Sequence, residues 1–319
     1  MRFRSRIGVG LVASALFAFA AGAEAKALMV AAPPKPGALA GQSDIVVLGK
    51  VVEVEKDAVE ATAYKGAPKG EKVTYKIAVV KIEEAIIGGK GLTQFRVGFP
   101  EGAAVDGRPP TPPNPGVAGV AIRIRPGGGR GLAPVALTAG TEGVFFLSQH
   151  HDGDFYILAY NGMAAPLSKK DENFKKELEA VKKVAKTIDD PVSALKAKEL
   201  DERYAAAMLI LQRYNQSRTG GTAREAIPAE ENKLLVALMM ELPWQAKFDK
   251  PRTGSDPVPP SRSQLWYMIN PNEQGFKQPV IKPAKPGEPQ PDYNKILEDA
   301  TTAFLKDNAE KIKIKRFVK

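Results

Sequence analysis

The chain has 319 residues, of which 44% are hydrophobic, and 46 lysines and arginines outnumber 36 acidic residues, giving a net charge of +10. Two histidines and no cysteine are present, which excludes disulfides, thiolate zinc sites, iron–sulfur clusters and cysteine nucleophiles. The length suggests two domains, and the apolar content is sufficient for buried cores.

The first 25 residues have the parts of a secretory signal peptide. Three arginines begin the segment, residues 7–21 form an uncharged apolar run, and Ala23-Glu24-Ala25 is a small-x-small cleavage signal. The run is shorter than the roughly 20 residues that span a bilayer, so cleavage after Ala25 is predicted rather than an uncleaved membrane anchor. The mature chain is therefore expected to be exported, to the periplasm, the cell surface or the extracellular medium.

Residues 26–43 are rich in alanine and proline and predict a linker. From 44 to 168 the pattern then predicts strands, because residues 73–79 alternate between apolar and polar side chains. Gly49 interrupts a valine-rich run where a bulge or tight bend is expected. Five or six strands predict a small OB-like β-barrel, since closure hides the strand edges. The predicted strands are 44–55, 73–82, 94–99, 118–125, 144–148 and 155–160, with 164–167 as a short closing strand.

Between the predicted strands 94–99 and 144–148, the chain becomes rich in proline and glycine. Residues 108–115 contain five prolines, and residues 127–131 contain four glycines. These stretches predict an exposed, partly extended excursion. The proline segment is interpreted either as an extended ligand for an aromatic groove or as an unselected loop.

From Ser168 onwards the apolar period changes to 3.6, which predicts helices over residues 169–310. Asp190-Pro191 is typical of a helix cap and first turn, and proline-rich breaks lie near 251–260 and 270–291. The last residues, 311–319, predict either a basic tail or an edge strand. The predicted fold is therefore α+β overall, with an OB-like barrel and a separate all-α domain.

Several strand motifs resemble the netrin-like OB-fold module that is also used by tissue inhibitors of metalloproteinases. The similar stretches are Ser43–Val51, Val73–Val79, and Leu137–Gly140 leading into Val144–Leu147, so the resemblance covers residues 40–168. In that family the inhibitors present an N-terminal cysteine to zinc and carry disulfides. This chain has no cysteine, so no functional residue is carried over. The overall layout also resembles exported bacterial proteins, planctomycete ones in particular.

Both histidines lie in one predicted hairpin turn, His150-His151-Asp152-Gly153-Asp154. Histidine and aspartate are good ligands for zinc or nickel, so His150, His151, Asp152 and Asp154 are candidate metal ligands. Neighbouring strand residues point to opposite faces, which disfavours one ion shared by both imidazoles. The alternative interpretation is a polar turn selected for its Asp-Gly geometry.

The basic C-terminus is the candidate contact for anionic surface polymers or lipid headgroups. The alternative is a charged, solvated terminus. Aromatic and basic residues of the barrel would also suit single-stranded nucleic acid, but export disfavours that partner. The candidate polyanion contacts are Lys311, Lys313, Lys315, Arg316 and Lys319.

No group of residues in the sequence converges on catalysis, and no cofactor is predicted. We therefore expect an exported, non-catalytic binding or scaffolding protein whose partner is a protein or an anionic polymer. A secreted metal-dependent hydrolase using the His150-His151-Asp152 turn is the first alternative. Single-stranded nucleic-acid binding by the barrel is the second.

Overall fold

The computed structural model describes residues 34–62, 72–102, 134–160, 162–217, 222–246, 248, 259–280 and 289–318. These residues form a closed barrel and seven α-helices, which confirms the predicted α+β class with an OB-like barrel. The helices are α1 (Pro36–Gln42), α2 (Phe174–Asp189), α3 (Pro191–Leu195), α4 (Leu200–Tyr214), α5 (Ala229–Glu241), α6 (Arg262–Met268) and α7 (Tyr293–Asn308), with a 3₁₀ helix at Pro271–Gln274. The strands are β1 (Ile45–Val54), β2 (Val59–Thr62), β3 (Lys72–Ile87), β4 (Gln94–Pro100), β5 (Glu142–Gln149), β6 (Tyr156–Leu158), β7 (Leu167–Ser168), β8 (Arg224–Ala226) and β9 (Lys315–Phe317).

Five strands close the barrel in the order β1-β3-β4-β6-β5, and β5 returns to pair with β1. The pairings are antiparallel except for β4 with β6, where Val97 lies opposite Tyr156. The short β2 pairs with the first residues of β3, and β7 pairs with the start of β5. Because β1 has a partner on each side, the barrel satisfies backbone groups that an open sheet would expose.

The strand β1 is irregular where the sequence predicts it. Its register against β3 shifts between Leu48 and Gly49 and again after Val51. A Cβ atom on Gly49 would lie 2.5 Å from the Lys81 carbonyl oxygen, so glycine permits the close approach of the two backbones.

The barrel interior is filled by alternating side chains from β1, β3, β4 and β5. The alternation predicted for β3 put Ala78 outward and is wrong there, because Ala78 and Val80 fill this core while Val73, Tyr75 and Ile77 form a separate cluster. Leu137 and Val135, which precede β5, also pack into it. The buried members of this core are Ile45, Val47, Val51, Ala78, Val80, Phe95, Val97, Phe99, Val135, Leu137, Phe145, Leu147 and Leu158.

The predicted linker is wrong for its last residues, because Pro36–Gln42 form α1. Leu39 and Ala40 of this helix are buried, and the Ser43 hydroxyl donates a hydrogen bond to the Leu39 carbonyl at its end. The alanines of this segment favour a helix, and the apolar face of the helix packs on a neighbouring surface. That surface is the outside of the barrel, where α1 and α2 share a second core with Val46, Val144 and Phe146.

A third core holds α3 to α7 together, centred on Leu211, Leu235 and Trp266. Asp190 caps α3 as predicted, its side chain accepting a hydrogen bond from the Ser193 amide. The described helices and the barrel belong to one compact unit, Pro33–Lys319. Their division into two domains at residue 168 stays a prediction, since α2 packs on the barrel.

The structure corrects the interpretation of the C-terminus as a tail. Ile312 and Ile314 are buried, and Lys315–Phe317 form β9, which pairs with β8 in a small antiparallel sheet. The alternation of isoleucine and lysine therefore belongs to an anchored strand, and the helical part is not purely α-helical.

Several predictions concern residues outside the described ranges. They are the signal peptide, the strand 118–125, the proline segment 108–115 and the glycine run 127–131. Within the ranges given above, none of the helices combines the length and the apolar composition needed to cross a membrane.

Candidate functional site

The predicted histidine turn joins β5 to β6 and receives a third element, β2. The His150 amide donates a hydrogen bond to the Phe155 carbonyl across the turn (3.0 Å). Thr62, the last residue of β2, reaches the turn from a position about 90 residues earlier in the chain. β2 is a strand that sequence reasoning missed, as it missed β8, because it is only four residues long and half polar.

His150 is buried in an aromatic pocket, with 3% of its surface exposed. Its ring stacks on Phe155, with 4.6 Å between centroids, and meets Tyr75 edge-on at 5.2 Å. The Asp152 amide donates to His150 Nδ1 (3.2 Å), so the neutral ring carries its proton on Nε2. The buried Nε2 has no hydrogen-bond partner of good geometry among the described residues, although the Thr62 backbone lies near enough to act on the ring.

Burial lowers the pKa of His150, and the neighbouring His151 lowers it further, against a smaller raising effect of Asp152. His150 is therefore kept neutral by its surroundings. A neutral, buried imidazole is suited to packing in the turn and holds its ring away from solvent.

His151 and Asp152 instead converge on Thr62. The Thr62 hydroxyl lies 2.7 Å from His151 Nε2 and 3.0 Å from Asp152 Oδ2, which also accepts from the Thr62 amide (3.2 Å). These two hydrogen bonds from Thr62 lower the pKa of Asp152. The carboxylate thus holds the hydroxyl rather than the imidazole, so the three residues lack the order of a nucleophile, base and orienting acid.

The two imidazoles lie side by side, with 4.5 Å between ring centroids. The expectation that they point to opposite faces is wrong, because they occupy a turn and not a regular strand. Their nitrogens nevertheless face different partners: His150 Nδ1 faces the Asp152 amide and His151 Nε2 faces Thr62. Over the part of the chain that the structure describes, no three histidine or carboxylate side chains are grouped to hold a metal ion.

Asp154, the fourth candidate ligand, has an electrostatic effect on Arg96 of β4. Its charge contributes to raising the pKa of Arg96, although the main cause is the hydrogen bond between Arg96 and Glu55. Arg96 and Glu55 form a bidentate pair with both N–O distances at 2.8 Å. Asp154 is therefore close enough to Arg96 of β4 for its charge to act there.

The candidate polyanion contacts are partly engaged within the protein. Arg316 pairs with Glu225 (2.8 Å), and Lys315 lies 3.8 Å from Glu273. The Lys313 amide donates to the Gln274 side chain, Lys311 is exposed on the turn after α7, and Lys319 lies outside the described residues. Two of the five charges are thus balanced by carboxylates.

The aromatic residues proposed for nucleic-acid stacking are mostly core residues. Tyr75, Phe95 and Phe99 are buried, as are Phe145 and Phe155. Lys76 lies 3.8 Å from Glu101, while Arg123 and Arg125 fall outside the described residues. Of the other two proposed rings, Tyr156 is half-buried and Tyr160 is exposed, so the described barrel surface offers at most these two for stacking.

Sequence reasoning missed a groove between four helices, here called the helical groove. Its volume is about 620 Å³, and small or aliphatic side chains line it. The alanines of α3 and α4 are the sequence signal that could have pointed to it. The lining aliphatic residues and glycine are Gly37 from α1, Ala180 and Val184 from α2, Ala194 and Ala197 from α3 and its end, and Ala205, Ala206 and Leu209 from α4.

Charged residues of both signs surround the helical groove. Lys183 of α2 pairs with Glu202 of α4 (2.9 Å), so an ion pair joins two of its walls. Lys186, Asp190 and Asp201 complete the charged lining, which has one more acidic than basic residue.

Comparison of the chain with known protein families, curated proteins and solved structures gives no match.

Proposed function

We propose that this is an exported, non-catalytic binding protein that holds an apolar peptide segment of a partner protein in the helical groove. The observation that carries the proposal is the groove itself, whose volume of about 620 Å³ lies in the range of ligand sites. Grooves between helices commonly accept the apolar face of a partner segment.

The small lining residues favour large apolar side chains on the partner. Ala180 and Ala205 are exposed on the groove walls, so they leave space that a leucine or phenylalanine of the partner would fill. Burying such a side chain contributes roughly 2 kcal/mol. The excess acidic residue of the lining favours a basic residue beside those side chains.

Binding is tested with a fluorescein-labelled peptide of alternating leucine, alanine and lysine residues that forms an amphipathic helix. We expect saturable binding to the purified chain, measured by fluorescence anisotropy. The same peptide with serine in place of leucine is the ligand control and is expected not to bind.

The groove is tested with Ala205→Glu and Ala180→Glu, which place a charge on its apolar walls. Ala303 is an exposed alanine of α7 that does not line the groove, so Ala303→Glu is the matched control. We expect the first two variants to lose binding and the control to keep it. Equal binding by all three variants, or none by the parent chain, would refute the proposal.

Export and the netrin-like character of residues 40–168 belong to the same proposal. Export is supported by the basic, apolar and small-residue parts of the first 25 residues. It is tested by expressing the full chain in a bacterial host and sequencing the N-terminus of the exported product. We expect that product to begin at Lys26, and a cytoplasmic product beginning at Met1 would contradict export.

A further inference from the structure

We propose that a second cavity binds a primary amine on an aliphatic chain, with the carboxylate of Glu231 as the partner of the ammonium group. This cavity has a volume of about 500 Å³ and lies between α4, the start of α5 and the β8–β9 sheet. It shares no lining residue with the helical groove. The two sites are therefore independent.

Glu231 is the unusual member of the cavity. It lies in the first turn of α5 with 6% of its surface exposed. Its Oε2 accepts a hydrogen bond of 2.5 Å from the Tyr214 hydroxyl, and no lysine or arginine among the described residues forms an ion pair with it. The N-terminus of α5 favours a carboxylate at this position, and a buried carboxylate with one neutral side-chain donor retains acceptor capacity for a cationic group.

Arg316, a cation that lines the same cavity, interacts with Tyr214 and pairs with another carboxylate. The Arg316 guanidinium lies 5.8 Å from the centre of the Tyr214 ring, but its charge is balanced by Glu225 at 2.8 Å. Burial strongly raises the pKa of Tyr214, and its hydrogen bond to Glu231 raises it further. The tyrosine hydroxyl is thus a stable donor to the Glu231 carboxylate.

The charged residues that line the cavity include one more acidic than basic residue. The acidic residues are Asp189, Glu225 and Glu231, and the basic ones are Arg213 and Arg316, which leaves one uncompensated negative charge. A ligand with a single positive charge restores balance in the cavity, whereas a diamine would place a second ammonium near arginine.

Apolar residues complete the cavity and define the rest of the ligand. Ile188, Ile210 and Phe317 are among them, and they would cover the methylene groups of an aliphatic chain. An ammonium group has three donors, so it can bind Glu231 and also donate to the Tyr214 oxygen. The ligand class is therefore a primary alkylamine with one charge.

The experiment is isothermal titration of the full chain with n-hexylammonium chloride. Hexan-1-ol is the neutral analogue and 1,6-diaminohexane is the dication. We expect hexylammonium to bind at least about tenfold more tightly than either, since a charged hydrogen bond contributes enough for that ratio. Equal affinity for the alcohol, or no saturable binding of hexylammonium, would overturn the proposal.

Variants locate the site. Glu231→Gln is expected to lose hexylammonium binding, whereas Arg316→Gln leaves the lining carboxylate of Glu225 without its cation and is expected to tighten it. Arg316→Gln also keeps the test valid if Glu231→Gln does not fold, because unchanged affinity in that variant contradicts the proposal. Ala205→Glu in the helical groove is expected to bind hexylammonium like the parent chain, so failure of one proposed site does not affect the other.

Discussion

Gly49 in β1 faces the carbonyl oxygen of Lys81 in β3 at a distance that leaves no room for a side chain. A Cβ on Gly49 would lie 2.5 Å from that oxygen and 3.1 Å from a methyl group of Val80. Both neighbours are fixed by the sheet. We therefore expect Gly49→Ala to lower the free energy of unfolding by about 2 kcal/mol or more, as overpacking does, measured by urea denaturation.

Gly37→Ala is the control for this prediction, since it makes the same chemical change in a permissive place. A Cβ on Gly37, in α1, would meet its nearest neighbour, a methyl group of Val184, at 3.8 Å, which is ordinary contact. This change is expected to stabilise the protein by about 0.5 kcal/mol, because alanine restricts the unfolded chain. Similar losses for both variants would show that the approach of Gly49 to Lys81 has no special role.

The buried position of His150 predicts that the free energy of unfolding falls on acidification. Burial lowers the pKa of His150 in the folded state, whereas in the unfolded chain it is about 6.5. Below that pH the unfolded state binds more protons, so the free energy of unfolding falls until the folded pKa is passed. Well above pH 6.5 His150 is neutral in both the folded and the unfolded state, so its protonation takes nothing from the free energy of unfolding.

The test replaces His150 with phenylalanine, which retains a ring between Tyr75 and Phe155 but cannot be protonated. Urea denaturation at about pH 7 and about pH 5 should show a smaller loss of stability in His150→Phe than in the parent chain. His151→Gln is expected to keep most of the parent chain's loss, because burial, and not His151, is the larger cause of the lowered pKa of His150. An unchanged difference between the two pH values in His150→Phe would contradict this role of His150.

The hydrogen bonds from Thr62 predict that the pKa of Asp152 depends on this threonine. Both the amide and the hydroxyl of Thr62 donate to Asp152 Oδ2 and lower its pKa. Thr62→Val removes the hydroxyl while keeping the branched shape, so the pKa of Asp152 should rise towards that of a free aspartate. Carboxyl carbon NMR titration measures it, and Thr138→Val, outside the turn, should leave it unchanged.

The local sequence pattern was sufficient to predict the barrel but not the candidate sites. The bend at Gly49 and the cap at Asp190 follow from local chemistry, since each depends on a residue and its immediate strand or helix. The contact of Thr62 with His151 joins residues 89 positions apart, and no local pattern encodes it. Alternation at Ile312 and Ile314 was compatible with a tail or a strand, and only the buried position of both side chains decides between them.

The last prediction concerns Arg262, a buried cation that connects three helices. Its Nε donates to the Leu242 carbonyl (3.2 Å) and Nη1 donates to the Thr302 hydroxyl (2.7 Å), while only 6% of the residue is exposed. Burial lowers the pKa of this guanidinium. Lysine has a charge but no planar fork, so Arg262→Lys leaves at least one of these acceptors without its donor.

We expect Arg262→Lys to lower the free energy of unfolding by about 2 kcal/mol, the usual effect of an unsatisfied buried polar group. Arg203 provides the control, because it forms a bidentate pair with Glu241 at a more exposed position (2.7 and 2.8 Å). Arg203→Lys should change the stability by less than about 1 kcal/mol, as surface ion pairs do. Equal effects of the two substitutions in urea denaturation would contradict the prediction, because they would show that the buried hydrogen bonds of Arg262 have no special role in the stability of this helix junction.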